Sequence, residues 1–190
     1  MMIQHRNARR SRAAALALLG AALCSAATHA AEPATAFVMV AYSNQTGGPH
    51  IVAGDYRGAA LALNQRSQLS QLDPGAVATN RCVSFAMTAQ MFAAHRACDD
   101  AVEEEQRAED GSVLQQQNRR QHDASAALVY SNRAVVHWLT ADAAAAQADL
   151  ARARALAPQA DFVIRNLAAL RDHPGAPGAR AAVGLARTSE

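Results

Sequence analysis

The residues able to do chemistry are few and scattered. His95, His122 and His137 fall where the chain has helical periodicity, and none has another histidine three or four positions away. A zinc site needs several neighbouring ligands, so these spacings predict structural or exposed histidines. No G-x-S-x-G, phosphate-loop or H-E-x-x-H motif occurs, which removes common nucleophilic, nucleotide-binding and metalloprotease chemistries. Asp99, Asp100, Glu103, Glu104 and Glu105 form an acidic cluster that reads as a solvated helix face. The cysteines Cys24, Cys82 and Cys98 contain no C-x-x-C pair, so dithiol redox catalysis is not expected. The chain is expected to be non-enzymatic, with no cofactor and no metal.

The compartment is read from the first thirty residues. Arg6, Arg9, Arg10 and Arg12 precede the apolar run 13–23, and Thr28-His29-Ala30 offers small residues for cleavage. This is the pattern of a secretory signal, and the run is shorter than the roughly 20 residues that span a bilayer. A periplasmic or secreted protein cleaved near Ala30, without an integral span, is expected. Of 18 basic and 16 acidic residues, residues 1–30 hold four Arg and no acid, so the mature chain carries 14 − 16 = −2. Positive charge is therefore not concentrated on the folded part, and nucleic acid is not an expected partner. Cys24 leaves with the signal. Cys82 and Cys98 are then an even pair in an oxidising compartment, either a disulfide or two small buried hydrophobes.

The elements follow from periodicity. Aromatic residues make up 4% of the chain and alanine is abundant, which suits closely packed helices rather than a β-sandwich. Residues 31–50 lack a helical period, Phe37-Val38-Met39-Val40 is a β-branched apolar run, and Gly47-Gly48-Pro49 is expected to stop any helix. This segment is expected to be extended, as a strap along the domain. A half-hairpin is expected over 51–74, opened by Gly54-Asp55-Tyr56 and carrying Ala59, Ala60, Leu63, Leu69 and Leu72 at helical spacing. Helical pairs are expected over 75–108 and 127–160, separated by a polar linker at 109–126 that is either solvated or an extension of a helix. A terminal helix is expected over 161–171. The His173-Pro174-Gly175-Ala176-Pro177-Gly178 run then predicts a disordered tail at 172–190.

The two pairs share a spacing. Tyr130-x2-Arg133-Ala134-x2-His137 is followed by Ala146-x3-Leu150, Ala153 and Pro158; upstream, Ala78-x2-Arg81-Cys82-x2-Phe85 is followed by Ala94-x3-Cys98 and Ala101. Asn132 and Asn166 are 34 residues apart, and Asn80 and Asn132 are 52 apart, one such period plus 18. This pattern resembles the tetratricopeptide repeat, a 34-residue helical hairpin. Arg81 and Arg133 stand where that family has Leu, and His137 where it has Tyr. The two arginine stems are expected to lie on the core with the charged heads in solvent.

The resemblance implies an all-α fold of antiparallel hairpins stacked as a short solenoid, with Cys82 and Cys98 on facing sides of one hairpin and joined by a disulfide. It also implies a groove lined by the first helix of each hairpin and receiving a peptide or partner helix. By position, Asn80, Asn132 and Asn166 would form a ladder of amides for an extended backbone. Val83, Met87, Val135, Trp138 and Leu139 would give apolar contact, and Arg165 a cation for a carboxylate. Two functions follow as expectations: an interaction module binding a peptide or envelope protein, or a structural or solute-binding protein whose groove holds its own N-terminal segment.

Overall fold

The computed structural model describes residues 36–65, 73–110, 116–174 and 183–187. The chain divides at Glu32/Pro33, and all described residues belong to the second unit; the signal sequence, Leu69 and Leu72 lie outside them. The described residues form, in order, β1 (Phe37–Ala41), α1 (Gly48–Val52), α2 (Tyr56–Asn64), α3 (Pro74–Met87), α4 (Met91–Asp110), α5 (Gln116–Leu139), α6 (Ala143–Leu156), α7 (Asp161–Asp172) and β2 (Val183–Arg187). The fold is mostly helical. No described helix is long and apolar enough to cross a membrane.

Local chemistry explains where the helices begin. Asp55 caps α2 by accepting from the Gly58 amide at 2.9 Å, and Asp142 caps α6 through Ala145 at 3.0 Å. Asp73 accepts from Gly75 and Ala76 at the start of α3, where Pro74 supplies a preset φ and lacks the amide that would have no partner. The same logic corrects the expectation at Gly47-Gly48-Pro49. Instead of stopping a helix, Pro49 sits in the first turn of α1, after Gly47 at φ 79°. Gly48 has no substitute there, because an added Cβ would lie 2.1 Å from the Tyr42 carbonyl oxygen. The half-hairpin is thus two short helices, α1 and α2.

The helical pairs α3–α4 and α5–α6 carry the closest helix packing. Ala94, Ala134, Ala146 and Ala153 are fully buried, so the helices approach closely across alanine-sized contacts. A disulfide joins Cys82 on α3 to Cys98 on α4, with Cα atoms 4.9 Å apart. The turns are copies of one another. Ala89 and Ala141 both take positive φ, 58° and 66°. In each, that alanine's amide returns to a carbonyl three residues back and the next amide to one five residues back (Gln90 to Phe85 and Asp142 to His137, both 2.8 Å). This is the αL closure of a helix C-terminus, and the two turns stand 52 residues apart like the asparagines.

In the polar 109–126 segment the helix-extension reading holds for the described residues: α4 continues to Asp110 and α5 starts at Gln116, because Gln, Arg and Glu are good helix formers even without an apolar stripe. One further expectation is corrected. The tail expected to be disordered contains β2, which pairs in parallel with β1, Phe37 opposite Val183 and Ala41 opposite Arg187.

β1 runs through the core of the second unit. All five of its residues are buried. Phe37, Met39 and Ala41 join a cluster with Val83, Val135, Trp138 and Leu150; Val40 joins a second with Ala101, Leu128, Tyr130 and Val163. The period-2 alternation of a strand thus inserts one apolar segment between two halves of the core.

Candidate functional site

α3, α5 and α7 each pack against β1 and line one wall. Each presents one asparagine to the strand, and each asparagine grips one residue at both its backbone groups. Asn166 accepts from the Val38 amide at 2.7 Å and donates to the Val38 carbonyl at 2.8 Å. Asn132 does the same to Val40 at 2.8 and 2.7 Å. Asn80 does the same to Tyr42 at 2.9 and 3.0 Å. Asn166 also donates to Ser131 Oγ at 2.9 Å, and Asn80 to the Thr46 carbonyl at 3.0 Å.

The geometry follows from two periods. Backbone groups of alternate strand residues face the same edge, and two residues advance about 6.8 Å. One helical hairpin per two strand residues therefore places an asparagine at each edge-facing pair. The strand runs opposite to the chain order of these helices, from α7 through α5 to α3. Its other edge, offered by residues 37, 39 and 41, lies toward β2. A carboxamide carries an acceptor and a donor side by side, which is what one residue's N–H and C=O present. Asn80, Asn132 and Asn166 are themselves fully buried, so each clamp is shielded from water.

The remaining positions that the resemblance points to are divided. Val83, Val135 and Trp138 are buried and face the chain's own strand. Trp138 lies 4.2 Å from Phe37 between ring centroids, and its indole N–H donates to the His173 carbonyl at 3.1 Å. Met87 and Leu139 pack at the margin of the same cluster. Arg165 is exposed and stands 3.7 Å from Asp161; it takes no part in the clamp.

Arg133 does not reach into solvent as expected. Its guanidinium binds Asp149 through two bonds of 2.8 Å and Asp99 through one of 3.1 Å, which with those bonds leading and burial opposing holds its pKa above the usual range. Arg81 donates instead to the Leu63 carbonyl at 2.6 Å. An arginine in an apolar repeat position, with a buried acid sixteen residues on, is the signal that could have found the Arg133–Asp149 pair. His95 and His137 meet across α4 and α5 with ring centroids 5.1 Å apart, a pairing invisible to i+3/i+4 spacing. Burial, opposed by Asp149, pulls the His137 pKa below its ordinary value. Glu105 is not on a solvated face: its side chain is 14% exposed and meets His122 and Ser125. Among the described residues, no group of three His, Cys, Asp or Glu is placed to hold a metal ion.

No protein-family model matches the chain, and no curated protein or solved structure is similar to it.

Proposed function

We propose that this is an exported, non-enzymatic protein of structural type, a short tetratricopeptide-like helical domain whose peptide groove is filled by its own N-terminal strand. The observation that supports it is the three-asparagine clamp on Val38, Val40 and Tyr42. A disulfide and a signal-like leader suit an oxidising compartment outside the cytoplasm.

The alternative, a groove that receives a foreign peptide, requires β1 to leave. Exposing Phe37, Val38, Met39 and Val40 at roughly 1.5–3 kcal/mol each would cost about 6–12 kcal/mol. That rivals the roughly 5–15 kcal/mol holding a whole domain together. A free peptide would also compete with an occupant tethered at an effective concentration in the millimolar range. The groove is therefore part of the fold, and any partner engages another surface.

A fluorescent peptide of residues 35–43 titrated against the full chain tests this. No saturable binding is expected up to about 100 μM, since the tethered strand holds the site. Micromolar binding of that peptide, abolished by Asn132→Ala in a variant that keeps its helical signal, would support the open-groove alternative instead.

A further inference from the structure

A cleft lies where the start of α3, the last turns of α4 and the first half of α5 meet Tyr42, just after β1, and Phe162 of α7. Its volume is about 930 Å³, within the roughly 300–1,000 Å³ usual for small-ligand sites. On its polar side, Ser125 Oγ donates to Glu105 Oε1 at 2.5 Å, and His122 Nδ1 lies 3.3 Å from Glu105 Oε2. Tyr42 Oη is 2.6 Å from Ser125 Oγ. Ser125 has one hydroxyl proton and gives it to Glu105, so the Tyr42 hydroxyl must be the donor to Ser125. The Tyr42 oxygen is thereby left facing the cleft as an acceptor. On its apolar side stand Leu128 and Phe162.

The charge balance selects the ligand. Three carboxylates, Asp73, Glu104 and Glu105, line the cleft with one guanidinium, Arg107. Arg107 is already engaged by Glu103 at 3.2 Å and by Glu104. Asp73 is bound to the amides at the start of α3. The positive groups are thus matched within the protein, and an anion would meet an excess of carboxylate. Glu105 accepts one contact at each oxygen, about half of what a carboxylate can take. Burial, partly offset by the Ser125 bond, raises its pKa, the condition a bound cation would relieve.

We propose that this cleft binds a primary arylalkyl- or alkyl-ammonium, its cation held by Glu105 with the Tyr42 oxygen and its apolar body against Phe162 and Leu128. An ammonium brings one positive charge and three donors, for the Tyr42 oxygen and the lone pairs that Ser125 and His122 leave on the two Glu105 oxygens. Because Tyr42 belongs to the segment that Asn80 holds in the groove, this proposal rests on the reading that the N-terminal strand fills it.

Titration calorimetry of the full, disulfide-intact chain with three isosteric probes tests the proposal. Phenethylammonium is expected to bind with a Kd below about 1 mM, and the neutral 2-phenylethanol and anionic phenylacetate at least about tenfold more weakly. Glu105→Gln keeps an oxygen to accept from Ser125 but removes the charge, and it should weaken phenethylammonium at least about tenfold. Should that variant fail to fold, Phe162→Ala, at a partly exposed position, should weaken the same probe at least about fivefold. Equal affinity for the three probes, unchanged affinity in a folded Glu105→Gln variant, or no saturable heat from phenethylammonium up to about 10 mM would overturn the proposal.

Discussion

Replacing Asn132 by alanine removes the middle rung of the clamp. Val40, 1% exposed, then has an amide and a carbonyl with no partner and no route to water. Each orphaned buried backbone group costs about 1–3 kcal/mol, so the variant should lose about 2–6 kcal/mol. For a unit of this size, 1 kcal/mol moves Tm by about 2–4 °C, and a fall of about 4–24 °C is expected. Urea unfolding followed by Trp138 fluorescence is the assay, since that ring packs on Phe37 of the strand. The three rungs should not be equal. Asn166→Ala should resemble Asn132→Ala, whereas Asn80→Ala should lose only about 1 kcal/mol, because the Tyr42 backbone at the strand's end is partly buried and water can replace the amide. Asn132→Asp sharpens the test. The ionised carboxylate of that variant accepts from the Val40 amide but cannot donate to its carbonyl, so the change should be at least as damaging as alanine at pH 7. In acid the variant should recover, because a protonated carboxyl donates again. An Asn132→Ala variant within about 0.5 kcal/mol of wild type, with an unchanged urea dependence, would refute the reasoning.

Reducing the Cys82–Cys98 bond, whose cysteines are 16 residues apart, should cost about 3 kcal/mol in the chain-entropy treatment, seen as a lower Tm with dithiothreitol that Cys82→Ala/Cys98→Ala reproduces. Ala141→Gly, at φ 66°, should raise stability by about 0.5–1 kcal/mol by relieving left-handed strain, and Ala89→Gly at φ 58° should do the same; urea midpoints decide, and a loss at both would contradict the turn geometry. His137 has a folded pKa below its unfolded value of about 6.5. The unfolded state then binds the proton first, so its contribution is intact above pH 6.5 and is lost as pH falls below it through the folded pKa. His137→Gln should flatten that part of a stability–pH curve, and an unchanged slope would exclude His137 as its source.

The spacing of Asn80, Asn132 and Asn166 is legible in the sequence because the residues around Asn80 and Asn132 share one pattern and Asn166 follows Asn132 by 34 residues. What the asparagines hold is not. A carboxamide clamp recognises only backbone, which every extended segment offers, so nothing in its chemistry distinguishes the chain's own strand from a foreign one. The Phe37–Val40 run carried the missing information, being too apolar to lie on a surface unless covered from both sides. β2 is not legible in the sequence because Val-Gly-Leu-Ala-Arg has no periodicity beyond its own few residues and follows a Gly/Pro-rich run. The sequence leaves the polar segment open between linker and helix extension for a related reason: a helix without an apolar stripe has no moment to read, only propensity. The Glu105–Ser125–Tyr42 chain joins three elements far apart in sequence, and in sequence Glu105 is one acid among several.

Native-state hydrogen exchange at the Val38 and Val40 amides tests most directly whether the strand is an integral part of the fold. If the asparagine clamp holds β1 as described, both amides should exchange only through global unfolding, with the same opening free energy as core amides of α5 and the same dependence on added denaturant. Exchange through an opening several kcal/mol below the global value, with α3, α5 and α7 still protected, would show a strand that leaves an intact groove and would contradict the account.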